Sequence, residues 1–168
     1  MVVDQSQKKG RPMQLVLFAL DDQRFALALS SVERVVRVVD VTPLPSAPPS
    51  VLGIVNVSGD VVPVYNLRRR FHLPEREIDL SDQLMIATTS RQTVALLVDS
   101  VSGVLEVAED EIAVANKILP EMEYVDGVVK LPDGLVLIHD LDRFLSSEEQ
   151  RSLDQAMQCV PGAEISEL

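Results

Sequence analysis

The residues that most often carry catalysis or bind metals are scarce in this sequence. It has one cysteine, Cys159, and two histidines, His72 and His139, and none of them lies in a nucleophile or metal-binding pattern. A catalytic thiol needs a base and an orienting group, and a single cysteine excludes an intramolecular disulfide and suits a reducing compartment. We therefore predict that Cys159 is incidental and that the protein uses no metal or cofactor.

Two charged runs are the other candidates for a chemical site. Glu106, Glu109, Asp110 and Glu111 resemble a metal or acid–base cluster, but carboxylates in such a run ordinarily face water. The run Arg68-Arg69-Arg70 resembles a basic patch, but on a short helical turn its side chains point in different directions. We predict a solvated turn for the first run, and a surface face with one or two ion pairs for the second.

Two further motifs have both a structural and a binding interpretation. Pro43-x-Pro45-x-x-Pro48-Pro49 holds the chain extended, and we prefer a rigid connector between strands over a docking peptide. In the stretch Gly53 to Gly59, a glycine begins a strand, Asn56 lies near its end, and Ser58-Gly59-Asp60 forms a tight turn. By chemistry alone this stretch is a plain hairpin.

Composition excludes several classes of partner. The net charge is −11, with 15 basic and 26 acidic residues, so attraction to nucleic acid or to an anionic membrane is unfavourable. No stretch approaches the ~20 apolar residues of a membrane span, and residues 1–12 lack the apolar core of a secretion signal. We predict a cytoplasmic protein that does not insert into membranes and is a monomer in isolation.

Short apolar runs separated by turn signals predict an all-β fold. Several runs lack clean alternation, so both of their faces are expected to be covered. The predicted strands are Leu15 to Leu20, Phe25 to Leu29, Val32 to Val41, Val51 to Val57, Val61 to Tyr65, Gln83 to Thr89, Thr93 to Val98, Val101 to Val107, Tyr124 to Leu131 and Leu135 to His139.

The two halves of the chain, about 14–71 and 83–145, repeat each other. Leu27 to Val32 matches Leu96 to Val101 at an offset of 69 residues, and Gly53 to Arg69 matches Gly127 to Arg143 at an offset of 74. Two copies are too few for a solenoid. We infer two related small β-barrels packed into one domain.

Helix signals follow each repeat. Asn66 and Asp140 can each cap a helical turn, and Ser146 with Glu149 forms a capping-box pattern at the start of a helix of about 146–158. Residues 13–158 are therefore the predicted domain. We expect residues 1–12 to be a disordered tail and residues 159–168 a mobile one.

From Leu15 to about Met157 the order of elements resembles the CheW family of chemotaxis coupling proteins. The strongest match is the segment from Gly53 to Arg68. It is similar to the family's signature, in which an Asn-Leu-Arg-Gly turn is followed by an apolar strand that contains Pro and then by Asp-Leu-Arg. The other matching segments are Phe18-x-Leu20, Phe25-x-Leu27, Val32-x-x-Val35, Pro43-Leu44-Pro45 and Leu145 to Glu149. The resemblance implies two small five-stranded β-barrels with short helical turns and a C-terminal helix.

The resemblance also implies a function. It implies a non-catalytic adaptor that binds the regulatory domain of a CheA-type histidine kinase and the cytoplasmic tip of chemoreceptors. The residues expected at a partner-binding surface, by their positions in the family pattern, are Val32, Arg34, Gly53, Asn56, Ser58 and Gly59.

Three positions depart from the family pattern. Ser58 stands where the turn motif normally has Arg, Arg34 stands where an acidic residue is common, and Asn66 replaces the usual Asp. Since the first two charges changed together, the pair is expected to be rewired if the two positions lie close in space. One alternative is therefore an adaptor for pilus motility or another chemosensory-like pathway. A small β-barrel enzyme or ligand-binding protein, which would need a deep pocket with convergent titratable groups, is a further alternative.

Overall fold

The computed structural model describes residues 12–114 and 125–158. Eleven strands lie within these ranges: β1 (Pro12–Leu20), β2 (Gln23–Ala28), β3 (Val32–Arg37), β4 (Val51–Val57), β5 (Asp60–Tyr65), β6 (Gln83–Thr88), β7 (Thr93–Val98), β8 (Ser100–Ala108), β9 (Ile112–Val114), β10 (Val125–Leu131) and β11 (Gly134–His139). The helices are α1 (Leu67–Arg70) and α2 (Ser147–Gln158), with 3-10 turns at Leu29–Ser31, Glu109–Glu111 and Leu141–Arg143. The predicted tails, and Cys159 with them, lie outside the described residues, except that Pro12 already belongs to β1.

The strands form two sheets, and each sheet takes strands from both sequence repeats. One has five strands in the order β3-β6-β7-β5-β4, and the other has six in the order β8-β1-β2-β11-β10-β9. The hairpin β1–β2 of the first repeat thus lies in the sheet of β8, β10 and β11, while the hairpin β6–β7 of the second repeat lies beside β3 and β5. The two repeats have exchanged their first hairpins, so neither repeat forms a sheet by itself.

The exchange keeps the same residue pairing in both sheets. Val64 of β5 pairs in parallel with Ala95 of β7, and Ile138 of β11 pairs in parallel with Ala26 of β2. These two pairs are related by the offsets of 74 and 69 residues found in the sequence, and the antiparallel pairs agree in the same way. The repeat is therefore a repeat of tertiary structure and is not a coincidence of valine-rich strands.

The repeated glycines are explained by close contacts with a neighbouring segment of the chain. A register shift precedes Gly53 in β4, and the equivalent shift precedes Gly127 in β10. A Cβ atom on Gly53 would lie 2.8 Å from the carbonyl carbon of Thr42 and would overlap its oxygen, and one on Gly127 would lie 2.5 Å from Cγ2 of Ile112. Only glycine lets the neighbouring chain approach this closely.

The larger sheet has one strand more than the five that the sequence predicts. The additional strand, β9, pairs with three residues of β10. Its counterpart in the smaller sheet is a single bridge, in which the backbones of Thr42 and Ile54 exchange hydrogen bonds of 2.8 and 3.0 Å. Three apolar residues do not give a recognisable strand pattern, so β9 was missed.

Three apolar clusters fill the fold. One covers a face of the five-stranded sheet, a second covers a face of the six-stranded sheet, and the largest joins side chains of both sheets with α1 and α2. Both faces of the central strands are therefore covered, which confirms the prediction from their incomplete alternation.

A row of aromatic rings runs through the largest cluster. It contains all four phenylalanines of the chain, with ring-centroid distances of 5.7 Å for Phe18–Phe25, 4.4 Å for Phe25–Phe71, 5.2 Å for Phe71–His139, 5.3 Å for His139–Phe144 and 4.6 Å for Phe144–Tyr65. Burial, assisted by the nearby Arg70, lowers the pKa of His139 to about 3. Burial also raises the pKa of Tyr65 to about 12, so both groups are neutral in the folded protein at neutral pH.

The caps predicted from the sequence are formed. The side chain of Asn66 accepts the N–H of Arg69, and that of Asp140 accepts the N–H of Asp142. At α2, Glu149 N–H donates to Ser146 Oγ at 3.1 Å, and Ser146 N–H donates to Glu149 Oε1 at 3.2 Å. The apolar stripe of α2 packs on the largest cluster through Leu153, Ala156 and Met157.

Candidate functional site

The turn between β4 and β5 holds three of the predicted site residues in one rigid loop. Val57 pairs with Asp60, so Ser58 and Gly59 form a two-residue hairpin loop. Both have positive φ angles, 51° and 92°, as a type I′ turn requires. Oδ1 of Asn56 accepts the N–H of Gly59 at 2.8 Å, which fixes the loop from within.

Arg34 of β3 reaches this turn from the opposite edge of the sheet. Its Nη2 donates to Ser58 Oγ at 3.2 Å. Since β3 and β4 are the two edges of a five-stranded sheet and neighbouring strands are about 4.8 Å apart, a contact of this length requires the sheet to curl. The sequence predicted a rewired pair on the condition that positions 34 and 58 lie close in space. The structure shows that the two side chains are in contact.

The predicted site residues do not all lie on this surface. Arg34, Ser58 and Gly59 are exposed, and Asn56 and Val32 are half-buried; we call these five residues the β3–turn surface. Gly53 is buried beneath it against Thr42, so it shapes the hairpin and presents no side chain.

A residue next to the site was missed. A register shift between Val32 and Arg34 leaves Glu33 exposed, and its Oε1 accepts a hydrogen bond of 3.2 Å from Oγ1 of Thr88. A bulge changes the face on which each side chain lies, and the sequence carries no local sign of it. Among the described residues, the guanidinium of Arg34 makes its hydrogen bond to Ser58, and no carboxylate lies within 4 Å of it.

The three consecutive arginines do point in different directions, but the surface prediction is wrong for Arg68. Arg68 is buried and donates to Asp21 at 2.9 Å and to both oxygens of Asp99 at 2.7 and 2.8 Å. Asp99 follows β7 and links it to β8 of the other sheet, and Asp21 lies in the β1–β2 turn, so each of the two exchanged hairpins contributes one carboxylate to Arg68. Burial by itself raises the pKa of Asp99. The hydrogen bonds that Asp99 accepts from Arg68 and from the N–H of Asp21 outweigh this effect and hold its pKa below the usual range. Arg69 and Arg70 pair with Glu75 and Glu149.

A small cavity beside this network has the titratable groups but not the properties of a catalytic pocket. Its volume is about 70 Å³, and its lining includes Arg68, Arg76, Asp82 and Asp99, whereas ligand pockets are usually several hundred Å³. The hydrogen bonds that Arg76 donates to Asp82 raise the pKa of Arg76, and the pKa of Asp99 is lowered. Arg68, Arg76 and Asp99 therefore keep their charges near neutral pH and do not supply an acid or base there.

The acidic run, which was the other candidate for a chemical site, lies on the surface. Glu106, Glu109, Asp110 and Glu111 are exposed, which confirms a solvated turn for residues 109–111, whereas Glu106 lies in β8 with its side chain in solvent. No group of three metal-ligating side chains is found within residues 12–114 and 125–158. Within the same ranges, no helix is long and apolar enough to cross a membrane.

Comparison with known proteins identifies the family. The model of the CheW-like domain matches residues 14–149. The chemotaxis protein CheW of Treponema pallidum is 28% identical over 146 residues, covering 83% of this chain and 86% of that protein. CheW of Bacillus subtilis is 29% identical over 153 residues, covering 89% and 97%.

A solved structure agrees in fold. The scaffolding protein TtCheW of Thermoanaerobacter tengcongensis superposes with a TM-score of 0.76 and 26% identity, over 83% of this chain and 96% of that one. TtCheW is a scaffolding protein, and the two relatives named above are chemotaxis proteins. With a family match over most of its length, two β-sheets that exchange their first hairpins and a matching solved fold, this chain belongs to the CheW family of chemotaxis adaptor proteins.

Proposed function

We propose that this protein is a non-catalytic, cytoplasmic adaptor that couples chemoreceptors to a CheA-type histidine kinase, and that the β3–turn surface contacts one of these partners. The observation that carries the proposal is the family match over residues 14–149, combined with the contact between Arg34 and Ser58. That contact joins residues 24 positions apart into one surface at the place expected for partner binding.

The local construction of the β3–turn surface suits a protein partner. Its turn is held by backbone hydrogen bonds and by Asn56, so little conformational freedom is lost on binding. Val32 offers apolar area beside the polar groups of Arg34, Ser58 and Gly59, a mixture that protein interfaces use. An adaptor interface of about 1,000 Å² would extend well beyond these five residues.

The experiment that tests the coupling is calorimetric titration of the full chain with two partners from the same organism. One is the regulatory domain of the CheA-type kinase, and the other is a coiled-coil fragment of the receptor tip. Saturable micromolar binding of both partners is the expected result. Binding of neither would overturn the proposal.

Replacing Ser58 tests whether the surface has been rewired around Arg34. In Ser58→Arg the new guanidinium would lie beside that of Arg34, and the two like charges repel. We expect partner affinity to stay the same or to fall, with Ser90→Arg in the exposed β6–β7 turn as the matched control. A large gain in affinity from Ser58→Arg alone would contradict the rewiring.

The departure of Arg34 and Ser58 from the family pattern favours a second candidate function. An adaptor in a different chemosensory-like pathway, such as pilus motility, would bind the kinase domain without binding the tips of chemotaxis receptors. Binding of the kinase domain alone in the titration would select this candidate.

A further inference from the structure

We propose that the β3–turn surface recognises an acidic side chain of the receptor tip, and that the guanidinium of Arg34 is the group that binds its carboxylate. This inference rests on the proposed function, because it names the chemistry that the same surface selects. A family member with an acidic residue at position 34 would favour a basic side chain in its partner, whereas this chain favours an acidic one.

Arg34 has donors available for such a contact. An arginine carries several N–H donors in a planar fork that fits a carboxylate in two-pronged fashion. In the structure one of them, on Nη2, reaches Ser58 Oγ at 3.2 Å. The side chain is exposed, and no carboxylate within the described ranges neutralises it.

Ser58 holds the guanidinium without neutralising it. A hydroxyl is a neutral acceptor, so the bond fixes the direction of Arg34 while the positive charge stays available to a partner. A carboxylate at position 58 would instead satisfy the charge within the protein. The turn that carries Ser58 is itself fixed by Asn56, so the charge is placed on a rigid frame.

The equivalent position in the six-stranded sheet lacks the arginine–serine contact. The repeat offsets relate Arg34 to Gly103 and Ser58 to Pro132, and these two residues have neither the guanidinium nor the hydroxyl. Since the fold is repeated closely, the architecture does not require an arginine at this position. The charge is specific to the β3–turn surface.

The charge of the whole chain makes this position distinctive. With a net charge of −11, the protein on average repels an acidic partner. A local cation that no carboxylate of the described residues neutralises therefore gives an acidic partner residue one favoured place to dock, and it disfavours partners that present a basic residue there.

The test is a charge exchange measured by calorimetry with the full chain and the receptor-tip fragment. Arg34→Glu is compared with Arg37→Glu, because Arg37 is exposed on the same strand and the change in charge is the same. Each acidic residue of the tip fragment is then changed to lysine in turn and titrated against the wild type and Arg34→Glu. Binding of the kinase domain and the thermal unfolding temperature are recorded for each adaptor variant.

The expected result is that Arg34→Glu weakens tip binding by at least about tenfold, while Arg37→Glu changes it by less than about threefold. One lysine substitution in the tip should weaken binding to the wild type and restore binding to Arg34→Glu. If the wild type binds the tip but Arg34→Glu and Arg37→Glu bind equally well, or if no tip substitution restores binding, the inference is overturned and the proposed function stands. If the wild type does not bind the tip at all, the receptor part of the proposed function fails, and this inference fails with it.

Discussion

Gly53 and Gly59 belong to one hairpin, but the backbone requires them for different reasons. At Gly59 there is open space around a Cβ, and only the φ of 92° disfavours another residue. At Gly53 the obstacle is the backbone of Thr42, which cannot move aside as a flexible side chain can. We expect Gly59→Ala to lower the free energy of unfolding by about 1 kcal/mol, and Gly53→Ala by about 2 to 3 kcal/mol. Urea unfolding of both variants measures this, and equal losses would contradict it.

His139 makes the stability of the fold depend on pH. Its pKa is 6.5 in the unfolded chain and about 3 in the folded protein, so the unfolded state takes up a proton below pH 6.5 and the folded state does not. The contribution of neutral His139 is therefore complete above pH 6.5 and is lost as the pH falls towards 3, by up to about 1.4 kcal/mol per pH unit.

The variant His139→Phe tests this linkage, because phenylalanine can occupy the aromatic row without titrating. Carboxylates elsewhere titrate alike in both proteins and cancel in the comparison. Between pH 7 and pH 5, the free energy of unfolding of the wild type should fall by about 2 kcal/mol more than that of the variant. Urea unfolding at the two pH values measures the difference, and parallel pH profiles would show that His139 is not the group responsible.

At the scale of elements, Glu149 attaches α2 to the rest of the protein. It closes the capping box with Ser146, accepts a hydrogen bond of 3.1 Å from Ser50 Oγ, and lies 3.5 Å from Nη1 of Arg70. We expect Glu149→Ala to cost about 2 kcal/mol of stability. The neighbouring exposed Glu148→Ala should cost less than about 0.5 kcal/mol. Thermal unfolding of the two variants distinguishes them, and equal effects would mean that the network around Glu149 adds no stability.

At the scale of the whole molecule, the exchanged hairpins make the two repeats interdependent. Residues 72–82 link the two repeats along the chain, and Leu80 within this segment is 90% exposed. A protease site inserted at Leu80 and then cut should leave both fragments in one particle, because each sheet contains strands from both of them. Light scattering after size-exclusion chromatography should give the mass of the uncut chain, with separation of the fragments in urea as the control. Fragments that separate without denaturant would contradict the exchange.

Much of this architecture could be predicted from the sequence, because its signals are local or repeated. Turn residues and apolar runs located ten of the strands, and Ser146 with Glu149 located the start of α2. Gly53 and Gly127 marked the repeat, and neither position leaves room for a Cβ, because the backbone of Thr42 lies against Gly53 and the side chain of Ile112 lies against Gly127. The all-β class and the family resemblance were confirmed, and the two predicted β units correspond to the two sheets of the structure.

What the sequence left open depends on contacts between distant segments. The repeat does not reveal that β1–β2 and β6–β7 change places, because either arrangement would satisfy the same strand patterns. For the same reason Arg68, which looked like a surface residue, is buried by carboxylates that the exchange brings to it. The sequence by itself determined which residues form strands, turns and caps, since those depend on neighbours along the chain. Only the tertiary structure decided that Arg34 meets Ser58, because the curl of a five-stranded sheet brings its two edges together.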